Sequence, residues 1–194
     1  MLDWSEMALP TRPGALRYTY DEYAALPDDG RRWQLIDGEL EVNPAPSSRH
    51  QTISRRLQFE LMKQLEEPNI ALIFNAPFDV ILSEHDVVQP DIAVVKVGRE
   101  HVVSERGLEG PPDIAIEILS PSTRTLDRRV KMVTYARFGV PEYWLVDPEL
   151  GHIELHRASS TGAFELTQRF DRASTLTTPS FPELSVDLAH AFRR

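Results

Sequence analysis

The chain has no cysteine. Disulfides, a thiolate nucleophile and a thiolate metal site are therefore excluded, and any metal must be held by oxygen or imidazole. No apolar run approaches the roughly 20 residues needed to span a bilayer. The opening MLDWSEM lacks the basic start and apolar block of a secretory signal. These absences together favour a cytoplasmic protein. There is also no Gly-rich phosphate loop, no serine nucleophile elbow and no His-Glu-x-x-His zinc helix. Positive charge is in short supply: the net charge is −9, which argues against a general nucleic-acid binder with a basic face. The cations that exist are grouped, as Arg49, Arg55 and Arg56 and as Arg124, Arg128, Arg129 and Lys131. Each group is either a solvated helix face or a local patch for weak, salt-sensitive nucleic-acid binding.

What is present fits one domain. The 194 residues suffice for a sizeable core, and the 41% apolar content is ordinary for a globular protein. Residues 1–17 read as a lead and 18–194 as the domain. Thr19-Tyr-Asp-Glu22 has capping-box spacing for a short helix. Asp37-Gly38, between alternating apolar halves, marks a hairpin. Residues 49–66 carry Ile53, Leu57, Leu61 and Leu65 at four-residue spacing, an amphipathic helix with one buried stripe. Residues 70–82 and 87–95 read as strands, 96–111 as a mobile loop and 114–119 as a central strand. A helix over 126–138 follows, with Leu126, Val130 and Val133 as its apolar face and Gly139 as its cap. Strands over 140–146, 151–157 and 163–170 complete a mixed sheet with helices packed on it, an α/β (α+β) fold.

Two carboxylates stand out. Asp91 and Glu117 interrupt otherwise apolar strand-like runs, and ionised carboxylates rarely lie there unless paired or bound to a cation. Asp113 shares the strand face of Glu117 but is four residues away, about 13 Å at ~3.3 Å per residue, too far to share one metal. Asp113 therefore reads as a strand-entry residue. If the Asp91 and Glu117 strands are neighbours, these two carboxylates lie roughly 5 Å apart. A hard cation such as Mg²⁺ or Mn²⁺ takes carboxylate, water and phosphate oxygens, which suits phosphodiester hydrolysis. The alternative is a buried Glu117–Lys131 salt bridge with no chemistry. His50, at a helix start, either orients water or phosphate or helps cap the helix.

Several strings, in order, resemble the Uma-two family of restriction endonucleases within the PD-(D/E)XK nuclease superfamily. They are QLIDGEL (34–40), His50-Gln51, VQPDIAVV (88–95), PPDIAIEILSPST (111–123) with Asp127 and Lys131 after it, YARFGVPEYWLVDP (135–148) and FPELSVDLAHAF (181–192). The resemblance implies a restriction-endonuclease-like fold, with a mixed central β-sheet flanked by helices. It also implies a Mg²⁺- or Mn²⁺-dependent endonuclease acting on nucleic acid, DNA first, with a homodimer as a further guess. It makes Asp91 and Glu117 the metal ligands and Lys131 the catalytic lysine, because the usual lysine place two residues after Glu117 holds Leu119. Gln34, His50 and Asp127 become accessory candidates. Gln34 departs from the glutamate many relatives carry and brings no charge. A non-catalytic nuclease-fold module of a mobile-element or defence system remains the competing reading. A metal-free carboxylate hydrolase is the weakest, since it leaves the lysine unexplained.

Overall fold

The computed structural model describes residues 17–193, so the expected lead lies outside the described residues except for Arg17. The first element among the described residues is helix α1 (Tyr20–Ala24), closed by the expected capping box. Thr19 Oγ1 accepts from the Glu22 N–H, and the Glu22 carboxylate accepts from the Thr19 N–H. The hairpin β1 (Arg32–Ile36) and β2 (Glu39–Asn43) turns at Asp37 and Gly38, with φ of 52° and 79°. That is the positive-φ pair a tight hairpin turn requires. Helix α2 (Ser48–Leu61) is capped by Ser47, whose Oγ accepts from the His50 N–H, and it continues as a π-helical turn over Met62–Glu66. Ile53, Leu57, Leu61 and Leu65 form its buried stripe as the spacing predicts.

Two strand runs and one loop differ from the sequence reading. Residues 70–82 split into β3 (Ala71–Asn75) and β4 (Val80–Ser83) around Pro77. Residues 87–95 split into β5 (Asp86–Val88) and β6 (Ile92–Lys96) at Gln89-Pro90-Asp91, where Pro90 has no N–H to give a ladder. The expected loop over 96–111 contains a 3₁₀ turn (Glu100–Val102), β7 (Val103–Ser104) and β8 (Gly107–Glu109). β9 (Ile114–Ile118), β10 (Glu142–Asp147), β11 (His152–Ala158) and β12 (Phe164–Asp171) follow close to expectation. β13 (Thr175–Thr178), β14 (Phe181–Asp187) and the one-turn helix α4 (Leu188–Ala191) end the described chain.

These strands make two six-stranded sheets and a hairpin. The first sheet runs β12-β11-β10-β9-β6-β3 and the second β2-β1-β5-β4-β8-β7. In the first, β9 and β10 are parallel and every other pair is antiparallel. Its strands β9 and β10 are buried on both faces, which explains why they read as near-continuous apolar runs, whereas β12 is mostly exposed. Ile114, Ile116 and Ile118 pack beneath α2, whereas Ala115 and Leu119 face Tyr135 and the second sheet. Glu117 therefore belongs to the second of these faces.

The helix over 126–138 is π-helical over Leu126–Lys131 and becomes α3 over Met132–Arg137. Its buried face also differs from expectation. Leu126, Val130 and Val133 are only half-buried, while Asp127, Lys131, Thr134 and Tyr135 are buried. The polar face is turned inward because Glu117 waits beneath it and can satisfy a lysine and a tyrosine.

Glu142 is a further carboxylate inside an apolar strand. It accepts hydrogen bonds from Trp144 Nε1 (2.6 Å), Thr178 Oγ1 (2.6 Å) and Ser180 Oγ (2.7 Å), which tie the β13–β14 connection to β10. Glu142→Ala orphans these donors and should cost at least about 2 kcal/mol, the scale of buried unsatisfied groups. Denaturant unfolding checks this, and a loss below about 0.5 kcal/mol would remove Glu142 from the list of structural anchors.

Candidate functional site

β6 and β9 are neighbours, paired antiparallel with Ile92 opposite Ile116 and Ala93 opposite Ala115. One more step of that register sets Asp91 across from Glu117. Asp91 Oδ2 accepts the Ile118 N–H at 2.7 Å and lies 3.0 Å from His50 Nε2. One carboxylate oxygen thus joins β6, β9 and the first turn of α2. His50 does more than occupy a capped helix start: its side chain reaches Asp91, and its Nδ1 is buried without a protein partner.

On the helix side, Lys131 Nζ donates to Glu117 Oε1 at 2.9 Å and lies 3.4 Å from Asp127 Oδ1. Tyr135 Oη donates to the same Glu117 oxygen at 2.9 Å. Sequence reasoning missed Tyr135, although it lies four residues after Lys131 and so shares its helix face. Three carboxylates, those of Asp91, Glu117 and Asp127, surround one ammonium. Burial, with the nearby Asp127 and Asp91 charges, outweighs the Lys131 attraction and pushes Glu117 up to about 8. Burial raises Asp127 too, against the pull of Lys131 and a hydrogen bond from Thr123. For Lys131, burial acts downward, but the surrounding carboxylates outweigh it and hold the ammonium above its ordinary value.

An open cleft of about 370 Å³ exposes part of this cluster; His50, Asp91, Glu117 and Asp127 line it. A second cleft of about 200 Å³ adjoins it, sharing Arg32, Pro46, His50 and Asp91. Lys131, 1% exposed, lies behind Glu117 and lines neither cleft. Gln34 is also absent from both linings; it is fully buried on β1, and neither amide atom has a protein partner. Asp113 is held by the Lys96 N–H and Arg99 (both 2.8 Å), in keeping with strand entry. Asp147, another strand-end carboxylate, is locked by Arg124 at 2.6 Å and by the N–H groups of Glu149 and Leu150. Arg128 bridges to Glu154 at 2.7 Å and fixes the π-helical segment to β11. Among the described residues no three His, Asp or Glu side chains converge as a ready-made metal cage.

A family model described as "Putative restriction endonuclease", Uma2, matches residues 20–189. The chain belongs to the Uma2 family. Among solved structures it is similar to one described as "a putative nuclease belonging to DUF820 from Anabaena variabilis ATCC 29413". The identity is 25%, the TM-score 0.75, and the match covers 90% of this chain and 97% of that one. No curated protein matches. The Uma2 assignment agrees with the mixed sheets and flanking helices described above, and with the order of the sequence strings that resemble that family.

The raised Glu117 makes a pH prediction for the metal-free Uma2 protein. The unfolded carboxyl ionises near 4.5 and the folded one near 8. Between these values the folded state holds the extra proton, so this group's stabilising contribution is full below 4.5 and is lost as pH rises through 8. Glu117→Gln removes that dependence. In chelator, the stability of Glu117→Gln relative to wild type should climb across this window, measured by denaturant unfolding at several pH values. A flat difference would mean Glu117 is ionised throughout, as in a plain salt bridge.

Proposed function

We infer that the protein is a metal-dependent nuclease that hydrolyses phosphodiester bonds, in DNA first, at the Asp91–Glu117 pair. The observation that carries this is how each carboxylate divides its oxygens. Asp91 commits Oδ2 to Ile118 and His50, and Glu117 commits Oε1 to Lys131 and Tyr135. The other oxygen of each makes no protein hydrogen bond among the described residues, and neither is among the orphaned buried atoms. Both residues line the larger cleft. Two half-committed carboxylates beside an excess of negative charge fit a hard divalent cation completed by water and phosphate oxygens. Bound there, Mg²⁺ or Mn²⁺ supplies Lewis acidity, which lowers the pKa of water and stabilises charge on the phosphoryl group.

The chain's own residues do the rest. Asp91, pinned by the Ile118 N–H, gives one oxygen a fixed position. Lys131 and Tyr135 fix the Glu117 rotamer, and the ammonium offsets part of the negative charge behind it. Asp127 in turn holds Lys131. His50 braces Asp91 from the side of α2. The competing reading, a non-catalytic nuclease-fold module, is favoured by one observation: Lys131 lies behind Glu117 and not in the cleft.

Divalent cations should raise the thermal stability of the wild type with concentration, as any ligand of the native state does. Asp91→Ala should lose that response. An identical response in both proteins would put the cation elsewhere. Lys131→Ala should lower metal-dependent cleavage of plasmid and single-stranded substrates by about 10²-fold or more, the scale of a lost electrostatic or proton-transfer group. Lys131→Arg should rescue poorly, because a planar guanidinium does not replace a compact ammonium in a closed site. Full activity in Lys131→Ala would reassign the lysine, and no cleavage by wild type with any metal at low salt would favour the non-catalytic module.

A further inference from the structure

The described arginines divide into those paired with a carboxylate and those without such a partner. Arg99, Arg106, Arg124, Arg128 and Arg137 each form a salt bridge to a carboxylate. The three arginines of the two clefts do not. Arg32 and Arg49 line the larger cleft, and Arg32 and Arg55 the smaller. None of these three has a carboxylate partner among the described residues. Arg32 donates to the Pro44 carbonyl (2.7 Å) and Arg49 to the Pro148 carbonyl (2.5 Å). Main-chain carbonyls hold these guanidinium groups in place without neutralising them. Arg17, Arg31 and Arg157 are bridged as well, whereas Arg56, Arg129, Arg169, Arg172 and Arg193 are not. What sets the cleft arginines apart is their place: three without a carboxylate partner border one pair of clefts.

The clefts have a direction. They meet at His50 and Asp91, beside Glu117. The smaller one runs along α2, whose Gln51, Ser54 and Gln58 recur at helical spacing next to the buried Ile53–Leu57–Leu61 stripe. The larger one is rimmed by Pro44, Pro46, Pro121 and Pro148, whose fixed φ makes a stiff mouth. At about 370 and 200 Å³, the spaces suit nucleotide-sized pieces, not a duplex, whose two backbones ride on a much wider cylinder. No Phe, Tyr or Trp side chain lines either cleft, so bases find no large stacking platform.

We propose, on the nuclease reading of the site, that the two clefts form one track for a single polynucleotide strand. Arg32, Arg49 and Arg55 hold its backbone phosphates on either side of the Asp91–Glu117 pair. Recognition is of the backbone and independent of sequence, because phosphate contacts position a strand without reading it. Affinity comes from charge, so it falls steeply with salt.

The test separates binding from cleavage. Dye-labelled single-stranded DNA, the matching duplex and single-stranded RNA of the same sequence are titrated in chelator, with anisotropy read across a salt series. The single strands should bind more tightly than the duplex, and the DNA and RNA arms show which sugar is preferred. Arg55→Ala should weaken single-strand binding about 3- to 10-fold at low salt and reduce the log–log salt slope by about 0.7, one phosphate contact. The exposed Arg55 side chain makes no hydrogen bond or salt bridge to the described protein, so this variant tests the track without disturbing the fold. Arg32→Ala and Arg49→Ala should behave alike if they fold, and Arg106→Ala, on a paired arginine, should have no effect. Equal or tighter duplex binding, or an Arg55→Ala indistinguishable from Arg106→Ala, overturns the track. Metal is added in a separate assay. Binding as expected with no cleavage sinks the catalytic reading and upholds the track, whereas cleavage of duplex without single-strand preference does the reverse.

Discussion

One hydrogen bond organises this molecule: the 2.7 Å contact from the Ile118 N–H to Asp91 Oδ2. Pro90 ends pairing with the second sheet because it has no N–H to donate. The chain crosses there from β5 to β6, and Asp91 is the first residue on the far side. Its carboxylate takes the place of a ladder partner at the end of β9, next to Glu117. The same oxygen receives His50 from α2. The break in the sheet, the register of β6 on β9 and the position of α2 therefore converge on one side chain. A residue that merely ended a strand would not need all three.

A carboxylate in an apolar strand is a weak signal of function taken alone. Asp91, Glu117, Glu142 and Asp147 are among the carboxylates of this kind in the described residues. What separates them is who donates. Glu142 is saturated by an indole, two hydroxyls and a more distant arginine, and Asp147 by Arg124 and two main-chain N–H groups. Both are complete without anything added, and burial costs them little. Asp91 and Glu117 each spend one oxygen on the protein and leave the other without a protein partner, and both residues line the larger cleft. That incompleteness, more than acidity, marks the candidate site.

The sequence made some of this readable and hid the rest. The Asp91–Glu117 pairing was legible because strand periodicity and the neighbour spacing of strands are local rules. The hairpin at Asp37-Gly38, the Thr19 capping box and the α2 stripe were legible for the same reason. The split of residues 87–95 was not, since a run of valines reads alike in one sheet or two and only Pro90 hints at the break. The helix over 126–138 was read with the wrong face inward. An apolar stripe of Leu126, Val130 and Val133 looks like the core face, but a buried glutamate beneath the helix makes the face of Lys131 and Tyr135 the better match. Long-range partners decide such cases. The same holds for the arginines: Arg49 and Arg124 belong to similar basic groups in sequence, yet one meets a carbonyl and the other a carboxylate.

The site's charge distribution explains why its parts need each other. Three carboxylates against one ammonium leave the floor of the cleft negative, and a phosphate approaching it would be repelled. At about 4 Å a pair of unit charges near a protein surface interacts with roughly 4 kcal/mol, so even one ionised carboxylate facing the phosphate would oppose binding. Lys131 cannot reverse this from behind Glu117, because its charge is already spent on the acids around it. Rim arginines can hold the neighbouring phosphates of a strand, but they do not line the space between Asp91 and Glu117. On the proposed nuclease reading, a cation between the carboxylates and a bound phosphate would turn the floor attractive. On that reading the negative excess would weaken binding at the centre of the proposed track without metal, and a bound cation would let centre and ends act in the same direction.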